Sequence, residues 1–180
     1  MANINAPFGF NPVEKIGGGA PGKLASYTIA NNEANSIFQG DAVMNDAGNV
    51  QQGAAGANDL TGVFWGCKYD DPTTNKPTFK NQYAQVAAEA EAFVYDDPYQ
   101  VFEIQGDGAS AQSNIGNTTD INAGGGNDET GNSLMEAASA NFGGGNVNIR
   151  VIGISQKEGR NTVGSANARY NVVINEHLYK

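Results

Sequence analysis

Two stretches decide the fold: Gly62–Tyr69, GVFWGCKY, and Glu91–Gln105, EAFVYDDPYQVFEIQ. In the second, period-two alternation on both sides of Asp96-Asp97-Pro98 predicts two strands joined by a tight turn, with proline fixing φ. Phe102 and Ile104 face one way, and Tyr99, Val101 and Glu103 the other. In the first, Val63, Trp65, Cys67 and Tyr69 share one face, with Phe64, Gly66 and Lys68 opposite, as strand geometry requires. Both stretches read as β.

The same pattern continues outward. Leu24–Ile29 alternates, and Asp41–Met44 and Asn49–Gln52 flank Asn45-Asp46-Ala47-Gly48, a hairpin turn by composition. Val147, Ile149 and Val151 alternate, and the change of phase to Ile152 and Ile154 predicts a bulge near Gly153. Tyr170, Val172 and Ile174 share one face of Ala168–Asn175. Gln82–Glu91 reads equally as a short helix, from its alanines, or as a β edge. The expected fold is all-β, an antiparallel β-barrel or sandwich of about seven to nine strands. It forms a single domain over residues 23–180, with a glycine-rich insertion at 106–145 in which a short strand is expected near Leu134–Ala137. Ile115, Ile121, Leu134 and Met135 are the isolated apolar points of that insertion. A loop of this length is usually functional or supported by a partner.

Residues 1–22 read as an extended N-terminal arm. Pro7, Pro12 and Pro21 exclude a helix through most of it, and Gly17-Gly18-Gly19 forms an unconstrained joint. Phe8 and Phe10 are expected to be exposed there and to bury against another subunit. Val13 and Ile16 extend that apolar surface, and Leu178 and Tyr179 near the other terminus offer a second anchor.

Composition narrows the function classes. Glycine accounts for 24 of 180 residues, about twice its usual share. Only 16% of residues are charged, which suits a turn-rich β surface. A net charge of -9, with 10 scattered basic residues, argues against a nucleic-acid face. No stretch approaches the ~20 apolar residues of a membrane span, and no secretory signal is visible, so synthesis in a cytoplasm is expected. The one cysteine, Cys67, has no partner for an internal disulfide.

Candidate chemistry is sparse. Gly106-Asp107-Gly108-Ala109-Ser110-Ala111 matches a dinucleotide turn, but the following QSNIGNTTD lacks the helix that would receive a pyrophosphate. The pairs Asp70-Asp71, Asp96-Asp97 and Asp128-Glu129 lack calcium-loop spacing and read as turns. His177 beside Glu176 invites a general-base role, yet no serine or cysteine nucleophile can be assigned to it. Cys67 reads as a small core residue. These residues point to no catalytic site, no cofactor and no metal. The aromatic residues around Trp65, Tyr69, Phe93, Tyr95, Tyr99 and Phe102 either fill one core or serve in part as stacking platforms.

Several segments taken in order carry a resemblance: PFGFNPV at 7–13 with its glycine run, SYTIANNEANSIFQGDAVM at 26–44, TGVFWGCKYDD at 61–71, FVYDDPYQVFEIQ at 93–105, NVNIRVIGI at 146–154 and NVVINEHLY at 171–179. In these the chain resembles head decoration (cement) proteins of tailed bacteriophages, of the marine and cyanobacterial phage type. The resemblance implies a non-enzymatic virion protein on the outer surface of the capsid, bound to the major capsid protein and reinforcing joints between capsomers. It also implies a homo-oligomer, with a trimer favoured. A carbohydrate- or host-binding surface module of a head fibre or spike is the alternative.

Overall fold

The computed structural model describes residues 3–57, 59–143, 145, 147–155 and 161–180. The first strands are β1 (Asn11–Lys15), β2 (Leu24–Ile29), β3 (Ile37–Phe38), β4 (Ala42–Asp46), β5 (Asn49–Gln52), β6 (Leu60–Asp70), β7 (Pro77–Lys80), β8 (Gln82–Tyr83), β9 (Ala90–Tyr95) and β10 (Gln100–Gln105). Short strands follow: β11 (Thr118–Thr119), β12 (Ile121–Asn122), β13 (Gly126–Asn127), β14 (Asn132–Ser133) and β15 (Glu136–Ala137). The chain closes with β16 (Ile149–Ile154) and β17 (Arg169–Ile174). Helical structure among the described residues is confined to 3₁₀ turns at Gln112–Asn114 and Ser139–Asn141. The chain is all-β, built from more and shorter strands than its alternation suggests. Gln82–Glu91 takes the β alternative and contributes to β8 and β9. No helix among the described residues is long and apolar enough to cross a membrane.

Half of the fold is a small closed barrel. The strands follow the order β4-β5-β2-β9-β6, and β6 pairs back onto β4. Five is an odd number, so such a ring cannot be antiparallel throughout; the parallel join falls between β2 and β5, at Thr28↔Asn49. A barrel this narrow leaves little lumen. Its interior accordingly sets Ala90, Ala92 and Cys67 beside Phe64, Val94 and Ile29. Ile37 and Tyr83, from the β3–β8 pair, belong to the same core. The β4–β5 turn is the expected hairpin, with Ala47 (φ 49°) and Gly48 (φ 91°) both left-handed.

One expected face is wrong. The β6–β9 register slips between Phe64 and Gly66, which leaves Trp65 as a bulged residue. Phe64, Cys67 and Tyr69 therefore enter the barrel, while Val63 packs outside it. A single extra residue reverses the alternation, so Val63 and Trp65 do not share a face with Cys67 and Tyr69.

The second half is a sheet in the order β1-β10-β17-β16-β11. Phe102 and Ile104, with Tyr170, Val172 and Ile174, pack from it against Ala42, Leu60 and Val63 on the barrel's outer wall. The expected bulge in β16 lies between Val151 and Gly153, turning Ile152 outward and returning Ile154 to the core. Thus β4 and β6 serve two cores, one on each face.

The N-terminal segment is not a free arm. Asn11–Lys15 is an edge strand of this sheet, with Pro12 opposite Phe102 and Glu14 opposite Val101. Proline is tolerated on an edge strand, where the lost donor breaks no central ladder. Phe10 is 0% exposed and meets Phe102 edge-on, with ring centroids 5.8 Å apart. Ahead of it, Asn3 bonds to Thr162 and Ala166, and Ala6 N–H donates to Gln105. Gly9 (φ 68°) lies so close to Gly40 O and Ser133 that an added Cβ would come within 2.5 Å of both. Met1 and Ala2 lie outside the described residues, as do 156–160 with Lys157, Glu158 and Arg160 of the expected solvated loop.

The 106–145 segment is folded across these layers. Ile121 and Met135 enter the core between barrel and sheet, and β15 supplies the expected strand with Ala137 buried. Glycine there answers a packing demand: a Cβ on Gly126 would stand 2.1 Å from the Phe38 ring. Gly106 opens no helix; its N–H donates to Ala168 O.

Candidate functional site

The turn Asp96-Asp97-Pro98 between β9 and β10 gathers segments from four parts of the chain. Asp97 Oδ1 accepts Tyr99 N–H (2.9 Å), the self-capping expected of an aspartate in a turn. Its other oxygen pairs with Lys15 Nζ at 2.6 Å. That ammonium, aided by the Tyr99 N–H, holds the Asp97 carboxyl below the usual carboxylate range. Buried Gln100 ties in β1 and the connection that follows it: its Nε2 donates to Glu14 O (2.9 Å) and its Oε1 accepts Gly22 N–H (2.8 Å).

The C-terminal segment reaches the same turn through Tyr27. Tyr27 Oη donates to Asp96 Oδ2 (2.9 Å) and shares a hydrogen bond with Tyr179 Oη (3.2 Å). Burial, then the Tyr179 and Asp96 bonds, push the Tyr27 phenol upward, so it stays a neutral donor. His177 is buried, and its Nδ1 accepts Tyr179 N–H at 3.1 Å. Burial also pushes its imidazole down, keeping the acceptor nitrogen free of a proton. Leu178 N–H donates to Leu60 O, which pins the segment to the barrel.

These bonds gather segments that carry exposed apolar side chains. Ile16 is 51% exposed, Tyr99 56% and Tyr179 55%, with Leu24 and Leu178 also open to solvent. Ile16 N–H donates to Tyr99 O (2.9 Å), and Leu24 lies opposite Tyr95 just before the turn. Each side chain is presented by backbone that is already fixed. Such a surface loses little freedom on binding, and aromatic anchors of this kind dominate interface energetics.

Three of the residues expected as contacts thus converge: Ile16, Leu178 and Tyr179. The others do not. Phe10 is in the core, and half-buried Val13 sits at a bulge between Pro12 and Glu14. Phe8 stands at the opposite end of β1 with the Arg169 guanidinium 4.9 Å from its ring centroid. Leu24 is a member that sequence reading missed, and Tyr99 was read only as a core ring or stacking platform. Tyr99 carried a signal: an aromatic residue directly after a proline turn, on the face opposite Phe102.

The remaining sequence candidates are structural. Cys67 Sγ donates to Gln82 O, and burial pushes its thiol up to about 12, far from a reactive thiolate. Glu176 Oε1 accepts Asn175 Nδ2, and His177 Nε2 has no hydrogen-bond partner among the described residues, so the two side chains are not paired. Asp71 Oδ1 caps the N–H groups of Thr73 and Thr74. No family model, curated protein or solved structure matches the chain.

Proposed function

We propose that this chain is a non-enzymatic virion structural protein that binds the outer surface of a tailed-phage capsid and cements neighbouring capsomers. The observation that carries this reading is the turn face: five exposed apolar side chains held by an ion pair, buried glutamine bonds and a tyrosine relay. Apolar area presented so rigidly is characteristic of a surface that meets another protein. The resemblance of the chain's ordered segments to phage head decoration proteins supplies the partner, the major capsid protein. A homo-oligomer, with a trimer favoured, adds avidity, because several weak contacts then act at high effective concentration.

Truncation is a poor test, since removing residues 1–15 would take Phe10 from the core. Tyr99→Ser with Tyr179→Ser leaves that core intact. The double variant is expected to melt within a few degrees of the parent and to lose co-sedimentation with expanded capsid shells. Undiminished co-sedimentation would sink the proposal.

A further inference from the structure

At the other end of β1 a pocket of about 270 Å³ opens between Phe8 and Trp65, with Phe10 beneath and Asn11, Gln39 and Asn132 completing the lining. Among the described residues, and the Trp65 indole aside, every polar side chain on it is a carboxamide, and none is charged. Asn11 and Asn132 make no side-chain hydrogen bond among the described residues, while Gln39 Oε1 accepts only a long 3.5 Å bond from Asn81. Both ring walls are fixed. Trp65, bulged out of the β6 ladder, meets Tyr95 edge-on at 5.4 Å and 74°, and Phe8 is held by Arg169. Gly9 in its left-handed conformation sets the step between Phe8 and Phe10.

We propose that this pocket binds one ring of a neutral saccharide. A sugar ring has a C–H face that lies on an aromatic π-face and an equator of hydroxyls that both donate and accept. Carboxamides match such hydroxyls because each carries both functions. Apolar walls with a few convergent polar groups are the usual build of a ligand site. The volume lies just under the ~300–1,000 Å³ of drug-sized pockets, enough for one ring. A charged ligand would lose its hydration against a lining with no charged side chain among the described residues, the Arg169 guanidinium beside it being engaged on the Phe8 ring. The site is separate from the turn face and stands or falls independently of capsid binding.

Trp65 is the chain's one tryptophan, so its emission reports occupancy directly. The intact protein is titrated with glucose, galactose, mannose, N-acetylglucosamine and their β-linked disaccharides, and with sialic acid and sugar phosphates as charged comparisons. At least one sugar is expected to change Trp65 emission saturably. Asn11→Ala and Asn132→Ala should each weaken that binding about tenfold, the loss of one hydrogen bond, with the melting temperature unchanged. A flat emission across the panel overturns the proposal. So does binding unaffected by the two substitutions combined, or a response confined to sialic acid and sugar phosphates.

Discussion

Asp41 sits fully buried between β3 and β4, its Oδ2 accepting Phe38 N–H (2.9 Å) and Gln52 Nε2 (2.8 Å). Desolvation outweighs these bonds and the nearby Ser133 hydroxyl, and pushes the carboxyl up to about 6. A folded value above the unfolded ~3.9 means that the favourable contribution is complete below about pH 4 and is lost as pH rises through about 6. Asparagine keeps an acceptor for both donors and removes the charge. Asp41→Asn should therefore raise the melting temperature at pH 8 and leave it nearly unchanged at pH 4. The gain is bounded at about 3 kcal/mol by a shift of roughly two units. Thermal melts at the two pH values decide the matter, and an equal effect at both would show that Asp41 is not held against its ionisation.

Among elements, legibility followed the range of the forces that set each one. β9, its turn and β10 could be read directly because Asp97 caps its own turn and Phe102 and Ile104 alternate beside it. The β16 bulge was visible as a change of phase between Val151 and Ile154. The Trp65 bulge was not, because GVFWGCKY alternates acceptably in either register and only the β9 pairing selects one. β1 was hidden for a different reason: Pro7, Pro12 and the glycine run are signals of irregular chain, and an edge strand tolerates them. That Ile16, Leu178 and Tyr179 meet depends on pairings across most of the chain, which local pattern does not encode. If β1 is part of the domain, Phe10→Ala should cost about 3–5 kcal/mol in urea unfolding, as for a buried ring. Ile16→Ala, just beyond that strand's last residue, should stay within about 0.5 kcal/mol. Equal costs for the two would return the segment to the status of a loose arm.

For the whole molecule, the two halves are joined by strands that belong to both. In β4, Ala42 faces the sheet core and Val43 the barrel; in β6, Val63 and Phe64 divide in the same way. Neither core can open without stripping one face from these shared strands, so barrel and sheet are expected to unfold together. A protein proposed to brace a shell gains from this arrangement, because load on the turn face passes into both halves rather than into a seam between them. The prediction is a single calorimetric transition with the van't Hoff and calorimetric enthalpies equal. Ile104→Ala in the sheet core and Val94→Ala in the barrel should each lower that same transition. Ile104→Ala would do so by removing side-chain volume next to Phe102, and Val94→Ala by opening space within the narrow lumen. Two separable transitions, each moved by only one of the substitutions, would show that the halves are independent units and that the shared strands do not couple them.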